Sequence, residues 1–236
     1  MGRARRVDVG GMIYHGLNGA NFRSRLFKKA AHDEDFLGIV AESLLLLPMR
    51  LLAYCLMPNH GHLVLHPRGD GDRAKFIQRL TLTPTQRYHA KSRTVGYGHV
   101  YQGRYKSLRV ESDRHFLTLV PYVERNAQRA DWVKRAEEWP WSSVYVRRNG
   151  TEKQRKLLRA WPTPEAADYF KWLNQPPGRE EVENIRDAIR RGRPYGSEKW
   201  VANRVAQFGL QTTVRNPWRF RKDSRHPFPL AGRVPC

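Results

Sequence analysis

The sharpest chemistry in the sequence is carried by Met57-Pro58-Asn59-His60-Gly61-His62-Leu63-Val64-Leu65. On a strand, alternate residues face the same way, so His60 and His62 project together within reach of one ion. Neutral imidazoles are good ligands for divalent metals. Two half-exposed histidines at a strand start are the commoner meaning of a bare His-x-His, and His66, on the same face, reads as a bystander. A second pattern is Tyr122-Val123-Glu124-Arg125-Asn126. Tyr122 and Asn126 are four residues apart and share a helix face, whereas Glu124 points elsewhere. A phenol beside an amide oxygen can place a nucleophile next to a metal ligand, although a tyrosine on a helix is more commonly a core or boundary residue. A third pattern runs from Gly96 to Ser107, where Tyr101 and Tyr105 interleave with Arg104 and Lys106. Bases stack on aromatic faces and cations hold phosphates, so this composition suits single-stranded nucleic acid. It also suits an ordinary strand with a solvated basic face.

Those residues need elements to position them. Met12–Leu17 reads as a first strand after the Gly10-Gly11 break. A helix follows over Asp33–Leu46, where Phe36, Leu37, Val40, Ala41 and Leu44 recur at helical spacing until Pro48. Arg50–Met57 and His60–His66 form a hairpin across Pro58-Asn59. Asp72–Ala90 reads as a helix that Pro84 kinks or splits. Val100–Val110 reads as a strand and Asp113–Ala130 as a helix kinked at Pro121. The order strand–helix–hairpin–helix–strand–helix predicts an α+β domain, a mainly antiparallel sheet with helices packed on it. This domain is assigned residues 1–149.

Beyond it, Thr151–Arg159 is a charged link, and helices are expected over Thr163–Leu173, Glu180–Arg191 and Ser197–Phe208. Together they give a helical basic appendage over 150–215. The last two faintly resemble a helix-turn-helix, with a longer turn than that motif uses. Residues 216–236 are rich in Arg and Pro and are expected to be disordered.

Charge narrows the partners. Among 236 residues, Lys and Arg number 43 against 22 Asp and Glu, a formal net charge of +21. A polyanion is the default partner for such a surplus. The longest apolar stretch, Phe36–Leu47, is interrupted by Gly38, Glu42 and Ser43 and falls short of the roughly 18–20 residues a membrane span needs. No apolar core follows Met1–Arg6, so no signal peptide is expected. Cys55 and Cys236 alone make neither a disulfide framework nor a cysteine zinc site. The expected location is the cytoplasm, in association with the nucleoid.

Several segments in order carry a family resemblance: YHGLNGANFRSRLF (Tyr14–Phe27), AYCLMPNHGHLVL (Ala53–Leu65), GHVYQGRYKS (Gly98–Ser107), YVERNAQRA (Tyr122–Ala130) and EWPWSS (Glu138–Ser143). The sequence resembles the REP-associated tyrosine transposases, within the HUH-type single-tyrosine transposases of bacterial insertion sequences. The resemblance implies a ferredoxin-like sandwich with the paired histidines on a central strand. It implies that His60 and His62 bind a metal, that Asn126 completes the metal site, and that Tyr122 is the nucleophile. The metal would be Mg²⁺ or Mn²⁺. The substrate would be single-stranded DNA or DNA hairpins of repetitive palindromes, cut through a 5′-phosphotyrosine and rejoined without ATP. Arg104, Lys106, Tyr101 and Tyr105 are expected to hold that DNA, with no membrane partner and either a monomer or a homodimer. The pattern is departed from at Gly61, where a large apolar residue is typical, at Pro121 before Tyr122, and at Ala127, where proline is frequent. Two other readings are a non-catalytic DNA- or RNA-binding protein derived from a transposase, and a nuclease that activates water.

Overall fold

Pro58 and Asn59 turn the chain between two long strands, and the rest of the sheet is laid against the second of them. In the computed structural model, residues 7–21, 25–93, 99–103, 105–165, 167–176 and 178–215 are described. Strands β1 (Ile13–Gly19), β2 (Met49–Met57), β3 (His60–Pro67) and β4 (Lys106–Val110) form one sheet in the order β2-β3-β1-β4. Every neighbouring pair is antiparallel, with His62 opposite Leu17 and Cys55, and Leu108 opposite His15. The fold is α+β, as expected.

Because strand side chains alternate between faces, the sheet divides its apolar residues between two layers. On one face, α1 (Ala30–Leu46) and α2 (Asp72–Ser92) bury Phe36, Ile39, Phe76 and Leu80 against Leu51, Leu63 and Leu65. On the other face, α3 (Arg114–Glu124) buries Phe116, Leu119, Val120 and Val123 against Ile13, Val64, Leu108 and Val110. Asp113 starts α3 by accepting the His115 N–H at 2.8 Å, a cap that satisfies one of the helix's free donors.

Further helices follow: α4 (Asn126–Arg129), α5 (Ser143–Asn149), α6 (Glu152–Arg155), α7 (Tyr169–Leu173), α8 (Arg179–Arg191), α9 (Glu198–Phe208) and α10 (Gln211–Val214). Tyr169 and Leu173 of α7, and Ile185 and Ala188 of α8, are buried in the same apolar layer as α3. After α8, Gly192 takes φ +68°, which glycine adopts without steric cost, and the chain turns back along β4. There the Tyr195 N–H donates to Arg109 O at 2.8 Å and the Glu111 N–H donates to Tyr195 O at 2.9 Å. The outer side of β2 is bonded in turn: Leu56 N–H to Trp141 O and Arg159 N–H to Leu51 O, both 2.9 Å. No helix among the described residues is long and apolar enough to cross a membrane.

Three expectations about elements are corrected, and one pair of alternatives is narrowed. The strand expected over Val100–Val110 begins only at Lys106; before it, a single bridge joins Tyr101 to Ala20, and Gly103 at φ +62° turns the chain. The helix expected over Asp113–Ala130 breaks at Arg125, between α3 and α4. Of the kink or split expected at Pro84, the split does not occur: α2 runs through it. Proline removes the hydrogen bond to the carbonyl four residues back, and the Tyr101 hydroxyl approaches that carbonyl, Leu80 O, at 3.5 Å. The helix expected over Thr163–Leu173 forms only over Tyr169–Leu173, because Pro164 and the bends around it occupy the expected start. Residues 216–236 lie outside the described residues.

Candidate active site

His60 opens β3 and His62 follows two residues later on the same face, with ring centroids 5.1 Å apart. That face looks toward the end of α3, so Tyr122 stands edge-on to His62 with centroids at 6.3 Å. Asn126, the first residue of α4, brings Nδ2 to 3.3 Å from His60 Nε2. The break at Arg125 preserves the four-residue spacing: Arg125 N–H still donates to Pro121 O at 2.9 Å, so the chain keeps its helical turn from Tyr122 to Asn126. The predicted His60, His62, Tyr122 and Asn126 therefore line one cleft of about 530 Å³, together with Lys106.

Two arginines absent from the sequence reading also enter this cleft. The Arg129 guanidinium lies 4.1 Å over the Tyr122 ring, donates to Tyr122 O, and donates to Asn126 Oδ1 at 3.1 Å. Arg186 arrives from α8, paired with Glu183 at 2.7 Å, and the nearby Tyr122 phenol helps hold its charge. Neither has a local signature. Arg129 is one of 43 basic residues, and Arg186 comes from 64 positions beyond Tyr122.

The histidines are neutral at physiological pH. Burial first, and then the Arg129 charge, lowers His60 to about 4, and burial lowers His62 well below the usual imidazole range. His60 Nδ1 lies 2.6 Å from Asn59 Oδ1. That oxygen only accepts, so Nδ1 carries the proton and Nε2 keeps its lone pair toward the cleft. His62 Nδ1 is likewise engaged, 2.9 Å from Nε2 of the buried His15.

The rotation of α3 is fixed from behind. Glu124 is fully buried and accepts from Ser143 Oγ, from Arg147, and from the Tyr169 hydroxyl at 2.6 Å. At about 100° per residue, Glu124 stands roughly opposite Tyr122, so anchoring the carboxylate turns the phenol to the cleft.

The remaining predicted residues are placed differently. Tyr101 turns onto α2 and lines the apolar hollows between α1 and α2. Tyr105 packs against the α1–α2 layer, with the Arg73 guanidinium 5.9 Å from its ring. Neither lines the cleft that holds Tyr122, and Arg104 lies outside the described residues. Lys106 edges both that cleft and a second basic hollow beside β4.

Glu111, Asp113 and His115 bring potential ligand atoms within 4.8 Å of one another. Both carboxylates already have structural work: Glu111 accepts from Ser197 N–H at 2.6 Å and Asp113 caps α3. His115 is seven residues before Tyr122, about 10 Å along the helix axis.

A family model described as "Transposase IS200 like" matches residues 8–126. The REP-associated tyrosine transposase of Escherichia coli (strain K12) is 26% identical over 99 residues, 42% of this chain and 56% of that protein. The chain thus matches a little over half the length of this curated relative. A solved REP-associated tyrosine transposase, bound to a REP hairpin, superposes with a TM-score of 0.53 at 20% identity, covering 65% of this chain and 90% of that one. That likeness concerns the fold: the same kind of sheet with helices packed upon it. The family match spans half the sequence and takes in both cleft histidines and the tyrosine that faces them, so this chain belongs to the IS200-like transposase family.

Proposed function

We propose that this protein is a DNA transposase that cuts and rejoins single-stranded or hairpin DNA through a covalent bond to Tyr122. The observation that carries the reading is the convergence of Tyr122, His60, His62, Asn126 and Arg129 on one cleft edged by Lys106. A phenol is a weak nucleophile at neutral pH until it gives up its proton. Attack of the Tyr122 oxygen on phosphorus forms one phosphoester as the P–O3′ bond breaks. The phenolic proton leaves through solvent, and the departing 3′ oxygen takes one up. One ester replaces another, so reversal by a second 3′-hydroxyl reseals the strand without a nucleotide cofactor.

The donor set fits a divalent cation held by His60 Nε2, His62 Nε2 and the Asn126 amide oxygen, and Mg²⁺ or Mn²⁺ is proposed there. Such an ion would polarise the scissile phosphate and offset its charge in the transition state. As found, the Asn126 oxygen accepts from Arg129 while its NH₂ faces His60. To hold a cation through that oxygen the amide would have to turn over, and the Arg129 guanidinium beside Tyr122 would then be available to a phosphate oxygen. Lys106 would hold the backbone of the strand entering the cleft, with Arg104 proposed as a further contact; Tyr101 and Tyr105, turned to the α1–α2 layer outside the cleft, are not assigned that role. A DNA hairpin is proposed as substrate because the structural relative is bound to one.

The test is incubation of the full chain with a labelled palindromic single strand and Mn²⁺. A protein–DNA species surviving denaturing electrophoresis is expected, absent in Tyr122→Phe. A Tyr122→Phe protein that forms the adduct as efficiently as wild type would refute the nucleophile. Cleavage without any adduct would indicate water activation, and binding without cleavage a non-catalytic protein.

A further inference from the structure

His15 is a histidine that the proposed reaction does not use. It lies on β1, is 1% exposed, and sits behind His62, within the sheet layer and away from the cleft opening. The register sets Leu17 opposite His62 and His15 opposite Val64, which makes the two imidazoles diagonal neighbours on one face. Their rings are stacked, with centroids 5.1 Å apart and planes 21° apart. His15 Nε2 lies 2.9 Å from His62 Nδ1.

A bond between two imidazole nitrogens contains one proton, and its position decides what His62 can do. If His62 Nδ1–H donates to His15, the other nitrogen of His62, Nε2, keeps its lone pair. If His15 Nε2–H donates to His62, then neutral His62 carries its proton on Nε2 and offers no lone pair there. Both rings are almost entirely out of water, so solvent does not choose between the two arrangements. The neighbouring ligand is treated in the matching way: His60 Nδ1 is engaged by Asn59 Oδ1 at 2.6 Å, and its Nε2 is left with the lone pair. Both histidines of the pair thus have Nδ1 tied to a fixed partner, one through a side chain on the turn and one through a ring on the adjacent strand.

We infer that His15 is a positioning residue that accepts the Nδ1–H of His62 and so presents His62 Nε2 as a metal ligand. This rests on the proposed metal site. It assigns β1 a part in the reaction through a residue that touches neither DNA nor cation. Partners that orient a ligating histidine characteristically change metal affinity by 10–100-fold when removed.

The first test needs no metal and no DNA. Long-range proton–nitrogen correlation spectra of the histidine-labelled full chain read each ring's tautomer directly. The expected result is a proton on Nδ1 of His62 and none on Nε2; a proton on His62 Nε2 overturns the inference. The second test is Mn²⁺ affinity by electron paramagnetic resonance. His15→Phe keeps a buried ring but has no acceptor, and should bind Mn²⁺ 10–100-fold more weakly. His15→Gln, which can offer an amide oxygen, should recover most of the loss. Unchanged Mn²⁺ affinity in a folded His15→Phe protein overturns the inference. If His15→Phe does not fold, the wild-type spectrum and the Gln variant still decide. Failure of the strand-transfer reading has a different signature: no covalent adduct, with wild-type Mn²⁺ affinity and the His62 tautomer as expected.

Discussion

Substituting Glu124 tests whether the buried face of α3 is what aims Tyr122. The carboxylate is fully buried and meets three donors, Ser143 Oγ, Arg147 and the Tyr169 hydroxyl. Glu124→Gln keeps the shape but removes the charge and turns one accepting oxygen into a donor. Breaking one side of a buried ion pair costs about 3–5 kcal/mol. Gln can keep its accepting oxygen toward Ser143 and Arg147, so the low end, about 3 kcal/mol, is expected. For a chain of this size that corresponds to a fall of about 6–12 °C in melting temperature. Arg147→Met should cost a similar amount, because it leaves the Glu124 charge unpaired. The double variant should lose at least about 1 kcal/mol less than the sum of the two, within the coupling usual for contacting residues. Urea denaturation followed by circular dichroism measures all four proteins of the cycle. The adduct rate of Glu124→Gln, measured well below its melting temperature, should also fall, since the helix can then rotate. A loss below about 1 kcal/mol, or strict additivity in the cycle, would refute the argument that this carboxylate anchors α3.

Arg129→Met should slow single-turnover cleavage by about 10²–10³-fold, the usual cost of removing one donor that stabilises transition-state charge, while DNA affinity changes only a few-fold; a proportional loss in both would make Arg129 a binding residue. Burial holds His15 at about 3 in the folded chain, against an ordinary value near 6.5. As pH falls from 6.5 toward 4, the unfolded chain takes up a proton that the folded chain refuses, so wild type should lose about 1.4 kcal/mol per pH unit relative to His15→Phe. Urea melts of both proteins across that range check this, and parallel curves would contradict it.

The sheet and its hairpin are legible in the sequence because their signals are local. Pro58-Asn59 turns the chain, and apolar runs on both sides name β2 and β3. The shared face of His60 and His62, and that of Tyr122 and Asn126, follow from periodicity alone. Their meeting across one cleft does not, since it depends on α3 crossing the face of the sheet that carries Val64 and Leu108. His15, Arg129 and Arg186 are the residues that sequence reasoning missed, and for Glu124 it gives the direction but not the partners; each acts through groups distant in the chain or hidden by composition. His15 meets His62 only through the β1–β3 register, and Glu124 meets Tyr169 45 residues later. The sequence also overextended the strand before Val110, because one glycine at φ +62° outweighs a favourable run of aromatic residues. In α2 the opposite happened: a proline that breaks most helices is tolerated where a tyrosine hydroxyl stands near the carbonyl it leaves unbonded.

The bonds along the outer sides of β2 and β4 bear on how copies of this protein can associate. An open strand offers a row of free amides and carbonyls, the usual template for one chain to add to another. Here Trp141 and Arg159 occupy part of that row on β2, and Tyr195 occupies part of it on β4. Strand addition at either margin must first displace a piece of the chain's own backbone. The segment that closes β4 follows directly after α8, whose Arg186 enters the cleft. Cutting the chain ahead of α8 would therefore uncover a sticky sheet margin as well as remove a cleft arginine. Aggregation of such a truncated protein would say nothing about its ability to recognise DNA.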